Sequence, residues 1–518
     1  MKHPLLLIAL TAVSICLAGP APARAANYPL QIIQPQPELD VKSRYCKAYP
    51  GIEYKVPMGV FGGAFPFAYS LTTAPSGMTI DPVTGIVLWP KPTTAGSPHR
   101  VTAQVTDAEG AKTSVSWTIT VTTSGFLFIS AKDGKHARGF GATSDAGDGT
   151  LANPFRSMND VYQNDPSQSE SWRNTKFDDH FIYFRGGTYA LEGKMDVNAD
   201  PLLRLLEWRG NYKPHVWLAY PGETVVFDHM AGPEANGAGF DLRDGDSSDF
   251  YVQGIHFKNM RNHAIRTGGS RLVFFENTFE NLGPGRDGYN SSFIMFTGRE
   301  LGSSHHIFVR DNVFEDGDTT AFVKTYGLTY SVFEGNTFRK PIGSTEGLAL
   351  KHADRYVDVR NNVFDGEFTA GAISGNWNDD GNLEIRYNHV KNASKTFVRH
   401  ALDGAITINH DKLANAPVHI HRNTFEGNVI VRFGASTNGP FYLSKNVIIN
   451  DNAGTSPGSG VSFQEVEDPS RVIMSDNLFG TPSQGILDAS GRLTGAYSKH
   501  LGNYGHIVPR PSSPPRTR

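Results

Sequence analysis

Apolar residues occur along this chain in short runs, separated by clusters of Gly, Pro, Asn and Asp. From Ala74 to Val121 the stretch APSGMTIDPVTGIVLWPKPTTAGSPHRVTAQVTDAEGAKTSVSWTITV alternates apolar and polar positions between turn residues. Period-two alternation at this spacing predicts a small antiparallel β-sandwich, assigned here to residues 27–123. Beyond Gly125 the texture changes to short strands between Gly-rich turns, such as HFIYFRGGTYAL at 180–191 and HVWLAYPGETVVFD at 215–228.

An internal repeat then takes over. An aromatic or aliphatic position recurs at Phe257, Phe279, Phe314, Phe338, Phe364, Val390, Phe425, Ile448 and Phe479, with gaps of 22, 35, 24, 26, 26, 35, 23 and 31 residues. Propeller blades need longer and more even repeats, and the Leu signature of leucine-rich repeats is missing. Coils of this length with strand-like runs fit an all-β parallel β-helix over residues 125–508, in which the longer gaps are loops inserted at a corner. Asn277, Asn312, Asn336, Asn362, Asn388, Asn423, Asn446 and Asn477 would stack one per coil as an Asn ladder.

Composition agrees with many turns: the 518 residues include 54 Gly and 31 Pro, and 19% are charged. Residues 1–25 read as a secretory leader, with Lys2, an apolar run from Leu5 to Leu17 and an A-x-A step at Ala23-Arg24-Ala25. The mature chain is then expected to begin near Ala26 or Asn27 and to be secreted or periplasmic. Removing Lys2 and Arg24 takes the formal net charge from −3 to −5. Such an acidic protein is a poor nucleic-acid binder, and an anionic ligand would need a local basic groove. Of the two cysteines only Cys46 would remain, so no internal disulfide forms. No second apolar run approaches the roughly 20 residues of a membrane span. A monomer is expected, and residues 509–518, PRPSSPPRT and a final Arg, read as a disordered tail.

Two resemblances concern fold. Pro75-Ser76-Gly77-Met78-Thr79-Ile80-Asp81, Thr84-Gly85 and Val105-Thr106-Asp107 resemble immunoglobulin-like, cadherin-related modules of secreted bacterial proteins. These modules serve either as spacers or as carbohydrate contacts. Asp148-Gly149-Thr150, Gly186-Gly187-Thr188-Tyr189 and Tyr220-Pro221-Gly222-Glu223 resemble the opening coils of secreted right-handed β-helices.

Aligning the strands that precede the repeat positions by eye puts Arg266, Arg299, Lys324, Lys351, Asn376, His410 and Arg432 at or just past strand ends. Adjacent strands lie roughly 4.8 Å apart, so this register makes a stripe of cations and hydrogen-bonding groups suited to a polyanion. Two ammonium groups about 5 Å apart repel by roughly 3 kcal/mol at a dielectric of 20, about two pKa units, which makes a lysine usable as a base near neutral pH.

Thr345-Glu346, four residues, Lys351-His352 and then Arg360-Asn361-Asn362-Val363-Phe364 resemble the active-site coil of β-helix polysaccharide lyases such as chondroitinase B and the related alginate lyases. The resemblance implies β-elimination on an acidic, uronate-containing polysaccharide. Lys351 would be the base that removes the C5 proton and Glu346 a ligand for calcium. The family's second carboxylate falls here on Ser344, and its Arg-His-Gly step is replaced by Gly371 to Trp377. A metal-free set of Lys351, Lys324, His352, Asn376 and His410 would also supply charge offset, base and donor, with Trp377 giving a sugar ring an apolar face. The alternatives are a glycoside hydrolase using Asp316 and Asp318 or Asp379 and Asp380, a C5-epimerase, and a non-catalytic polysaccharide-binding adhesin. There is no Cys cluster, HExxH or P-loop, and His305-His306 and His419-x-His421 read as strand residues.

Overall fold

The computed structural model describes residues 26–36, 43–131, 147–156, 180–190, 203–204, 216–228, 238–242, 248–260, 262–283, 291–298, 304–343, 345–351, 354–375, 381–392, 395–399, 417–432, 440–449, 461–464, 470, 472–481 and 484. The expected leader, the expected tail, Arg299, His352, Asn376, Trp377, Asp379, Asp380 and His410 lie outside the described residues.

From Phe126 onward the described strands form three parallel sheets that the chain visits in turn, one strand of each per coil. The first sheet runs from Phe126–Ile129 to Val472–Ser475, the second from Gly187–Ala190 to Leu478–Gly480, and the third from Leu203–Arg204 to Val461–Gln464. This is a parallel β-helix. Its interior is a file of stacked side chains. Phe257, Phe279, Phe314, Phe338, Phe364, Val390, Phe425, Ile448 and Phe479 are register partners in the second sheet, as the spacing predicts. The rings of Phe279, Phe314, Phe338 and Phe364 stack at centroid distances of 5.0, 4.9 and 4.5 Å.

The Asn ladder is also present. Each Asn from 277 to 446 donates its side-chain amide to the Oδ1 of the next at 2.9–3.0 Å, ending on Asn477. The residue before each one takes positive φ: Glu276, Asp311, Gly335, Asn361, Tyr387, Arg422, Lys445 and Asp476. That left-handed step turns the chain sharply from the first sheet to the second, and the Asn amide satisfies backbone groups which the corner removes from the ladder.

Residues 31–121 form a separate unit, antiparallel except where Lys47–Ala48 runs parallel to Lys112–Val121. A four-stranded sheet holds Lys47–Ala48, Lys112–Val121, His99–Thr106 and Ala68–Thr73, and a three-stranded sheet holds Tyr54–Pro57, Ile86–Trp89 and Thr79–Ile80. The unit is docked on the outer face of the first sheet rather than held off as a spacer. Alternation in that sheet sends Leu127, Ile129, Ile182 and Phe184 inward, while Phe126, Phe128, Phe181 and Tyr183 join Tyr45, Tyr54, Met58 and Phe61 of the module in one apolar cluster.

Further along the same face, buried arginines replace the apolar residues and grip the module's backbone. Arg310 donates to Thr84 O at 2.6 Å, Arg360 to Val60 O at 2.7 Å, and Arg386 to Gly63 O at 2.6 Å and Gly62 O at 3.0 Å. Their charges are met by Glu334 and Asp358, each 5% exposed or less.

Candidate functional site

The site lies on the outer face of the third sheet, around the strands Ala321–Tyr326, Glu346–Lys351 and Gly371–Gly375. In Glu346–Lys351 the side chains of Leu348 and Leu350 enter the core. Gly347 also faces inward: a Cβ there would sit 2.3 Å from Ala372 O and 2.8 Å from the Phe364 ring. Only glycine fits that approach, and the bend it permits leaves Glu346 outside with Lys351. Upstream, Thr319 and Thr345 tie the corner between coils, Thr345 donating its hydroxyl to Thr319 O at 2.7 Å and Thr319 to Ser291 O at 2.8 Å.

Outside the strand, Glu346 is only 7% exposed and accepts from Ser374 Oγ at 2.7 Å. Its other oxygen lies 3.7 Å from Lys351 Nζ, whose side chain is 17% exposed. Lys324 is 1% exposed and donates to Thr320 Oγ1. Burial, with the nearby Lys351 charge adding to it and Glu346 opposing it, brings the Lys324 amine down to about 7. The lowered amine that lysine proximity predicts is therefore present, on Lys324, with desolvation as the larger cause.

The register differs from the stripe read by eye. Arg266 pairs with Met295, Met295 with Lys324, Lys324 with Ala349 and Ala349 with Ser374. Lys351 belongs two residues further on, opposite Tyr326. The two strands are in fact flush, Ala321 opposite Glu346 and Tyr326 opposite Lys351, and alignment on the lysines slips because Lys324 stands two residues before the end of its strand while Lys351 ends its own. Arg266 and Lys324 thus share a file with Met295 between them, Lys351 stands beside that file, and Arg432 closes the strand Asn428–Arg432 opposite Gln464.

The register brings in Tyr326, which sequence reading passed over although it directly follows the Val-Lys-Thr of the aligned strand. Burial, helped by the Glu346 and Asp354 carboxylates and opposed by Arg266, pushes its phenol up to about 12. Asp354, itself fully buried, accepts from Leu328 N at 2.9 Å and from Thr325 Oγ1, so the strand end carrying Tyr326 is held from behind. A protonated phenol and an amine poised near neutrality therefore share one face.

Calcium fits this donor set poorly. It takes six to eight oxygen ligands, whereas Glu346 faces two lysine side chains. No group of three His, Cys, Asp or Glu comes together among the described residues. Asp316, a candidate of the hydrolase alternative, lies within the strand Val313–Asp318 with positive φ and pairs with Lys340 at 3.2 Å. His421 Nε2 donates to Glu384 at 2.8 Å and His419 stacks on Tyr442, so both act within strands.

Comparison with known families agrees with the architecture. Residues 239–413 match the family described as "Right handed beta helix region", and residues 41–122 match "Putative Ig domain". The fold is a right-handed parallel β-helix with an N-terminal immunoglobulin-like domain. Among solved structures, "The complex structure of XylC with xylose" is similar at 9% identity and a TM-score of 0.42, covering 68% of this chain and 83% of that one. "Crystal structure of pectate lyase Pel9A" is similar at 12% identity and a TM-score of 0.31, covering 69% and 80%. No curated protein matches the sequence. Among the described residues no helix is long and apolar enough to cross a membrane.

Proposed function

We propose that this protein is an exported lyase that cleaves an acidic, uronate-containing polysaccharide by β-elimination. The observation that carries the reading is the Lys324 amine, lowered to about 7, beside Lys351 and the high-pKa phenol of Tyr326. Elimination needs an unprotonated base, a proton donor and an offset for the substrate carboxylate. Above about pH 7 the two lysines hold one proton fewer than two. Lys351, the more open of the pair, meets the sugar, and Lys324 keeps the pair able to accept.

The pair takes the C5 proton, the freed electrons form the C4–C5 double bond, and the C4–O bond breaks. The leaving oxygen takes the Tyr326 proton. Arg266, on the Lys324 file, offsets the carboxylate, while Glu346, fixed by Ser374, orients Lys351. No step passes through a metal.

The test is incubation with a panel of uronate polymers, following absorbance near ~235 nm from unsaturated ends. New reducing ends without that absorbance would indicate hydrolysis. Retention of polymer without cleavage would indicate an adhesin, and isotope exchange at C5 without chain scission an epimerase.

A further inference from the structure

The buried charges under the module form a chain of pairs that stops one partner short. Asp311 and Glu334 meet Arg310 and Arg360, Asp358 is shared by Arg360 and Arg386, and Glu384 comes last. Arg386 reaches Glu384 Oε1 only at 3.7 Å, because its guanidinium is spent on Asp358 and on the carbonyls of Gly62 and Gly63. Oε1 has further partners in His421 Nε2 at 2.8 Å and Asn27 Nδ2 at 3.1 Å. Among the described residues Oε2 has no hydrogen-bond partner, although Glu384 is fully buried. Burial lowers the His421 pKa, which weakens it as a cation, and Arg422 Nη1 sits 3.0 Å from its other ring nitrogen. A buried carboxylate oxygen left without a donor is costly, and such an atom marks where a partner belongs.

The segment beside that oxygen is the start of the expected mature chain. Asn27 bonds Glu384, and Tyr28 O accepts from Gly63 N at 2.9 Å. The Tyr28 ring contacts Phe61 of the module and Tyr356 and His419 of the helix at 5.7, 5.9 and 6.0 Å. The A-x-A step ends at Ala25, so cleavage after it or after Ala26 creates an α-ammonium on the residue that touches Glu384 or on the one before. One residue is about 3.8 Å of chain.

We propose that leader removal completes this interface: the new α-ammonium at Ala26 or Asn27 is the missing cation for Glu384, and it locks the immunoglobulin-like domain onto the β-helix. Before cleavage the same nitrogen is an uncharged amide, so the last link forms only in the processed protein. The inference rests on the leader reading and is independent of the lyase chemistry.

Intact mass of the exported protein fixes its first residue. A start elsewhere than Ala26 or Asn27 removes the leader premise by itself. With that start established, thermal melts compare the mature chain with one extended by six Gly and Ser residues, each with Glu384 and with Glu384→Gln. The extension is expected to lower Tm by about 2 °C or more, the scale of a contact worth 1 kcal/mol in a large domain, and to have no effect in Glu384→Gln. Equal melting with and without the extension, or an equal drop in both backgrounds, would overturn the proposal. Should Glu384→Gln not fold, acylation of the terminal amine in the mature chain decides. It is expected to be roughly tenfold slower than in the extended chain, the factor for one pKa unit, and equal rates overturn the proposal.

Discussion

Lys324 has an amine lowered to about 7 because the third sheet's outer face buries it and Lys351 stands nearby. The unfolded chain, with an ordinary lysine, binds more protons than the folded one from about pH 7 up to the usual lysine range. Stability therefore rises with pH across that window, and the burden is fully present below about pH 7. Lys324→Met removes this rise. Thermal melts from pH 6 to 10 are expected to show the variant's largest gain at pH 6 and none near pH 10. The proposed reaction uses the same titration, so kcat/KM climbs through about pH 7 and that limb is lost in Lys324→Met. Tyr326→Phe keeps the ring but removes the donor, and kcat is expected to fall by roughly 10²–10⁴-fold with KM little changed. Lys351→Ala should lose turnover on the same scale while melting like the parent; a fully active variant would refute the base assignment.

At the level of one coil, Asn336 shows what holds neighbours in register. Its amide donates to Val309 O and Asn362 Oδ1, and its Oδ1 accepts from the Asn312 backbone and side chain. Asn336→Ala leaves those buried groups without partners and is expected to cost about 2–3 kcal/mol by denaturant titration. Asn477→Ala, at the partly buried end of the ladder, should cost less. Both the Asn and Phe columns were legible in the sequence, because each position has one job that a single residue type does best and it recurs in every coil. The site was legible only in part. Glu346 and Lys351 stood out by departing from the repeat, but Tyr326 did not, because aligning the two lysines hides the register that sets it opposite Lys351. Gly347 was silent too: its need for a bare Cα arises from Phe364, one sheet away.

For the molecule as a whole, the domain contact could not be read from the sequence. Phe128, Tyr183, Leu218, Tyr251 and Phe275 read as ordinary alternating strand residues, and nothing local says that their outer side is covered. Arg310, Arg360 and Arg386 likewise pass for surface charges until carbonyls from residues some 230–320 positions earlier meet them. A chain starting at Gly125 would expose this apolar strip along a parallel sheet, and such patches drive association. It is expected to be largely insoluble on expression, whereas a freely tethered spacer would leave it soluble.

The same footing bears on how the solenoid can change length. A β-helix grows by whole coils, since the amide ladder joins each only to its neighbours. Between Arg310 and Arg386, however, the module's chain from Met58 to Gly63 is laid across the coils like a gauge, Arg310 meeting Met58 O, Arg360 meeting Val60 O and Arg386 meeting both Gly62 O and Gly63 O, with Glu334 on the coil between the first two. A coil duplicated inside that span would put every later arginine out of step with its stop. The same duplication after Asn423 would lengthen the molecule without touching the gauge, so that is where this architecture is free to add outer surface.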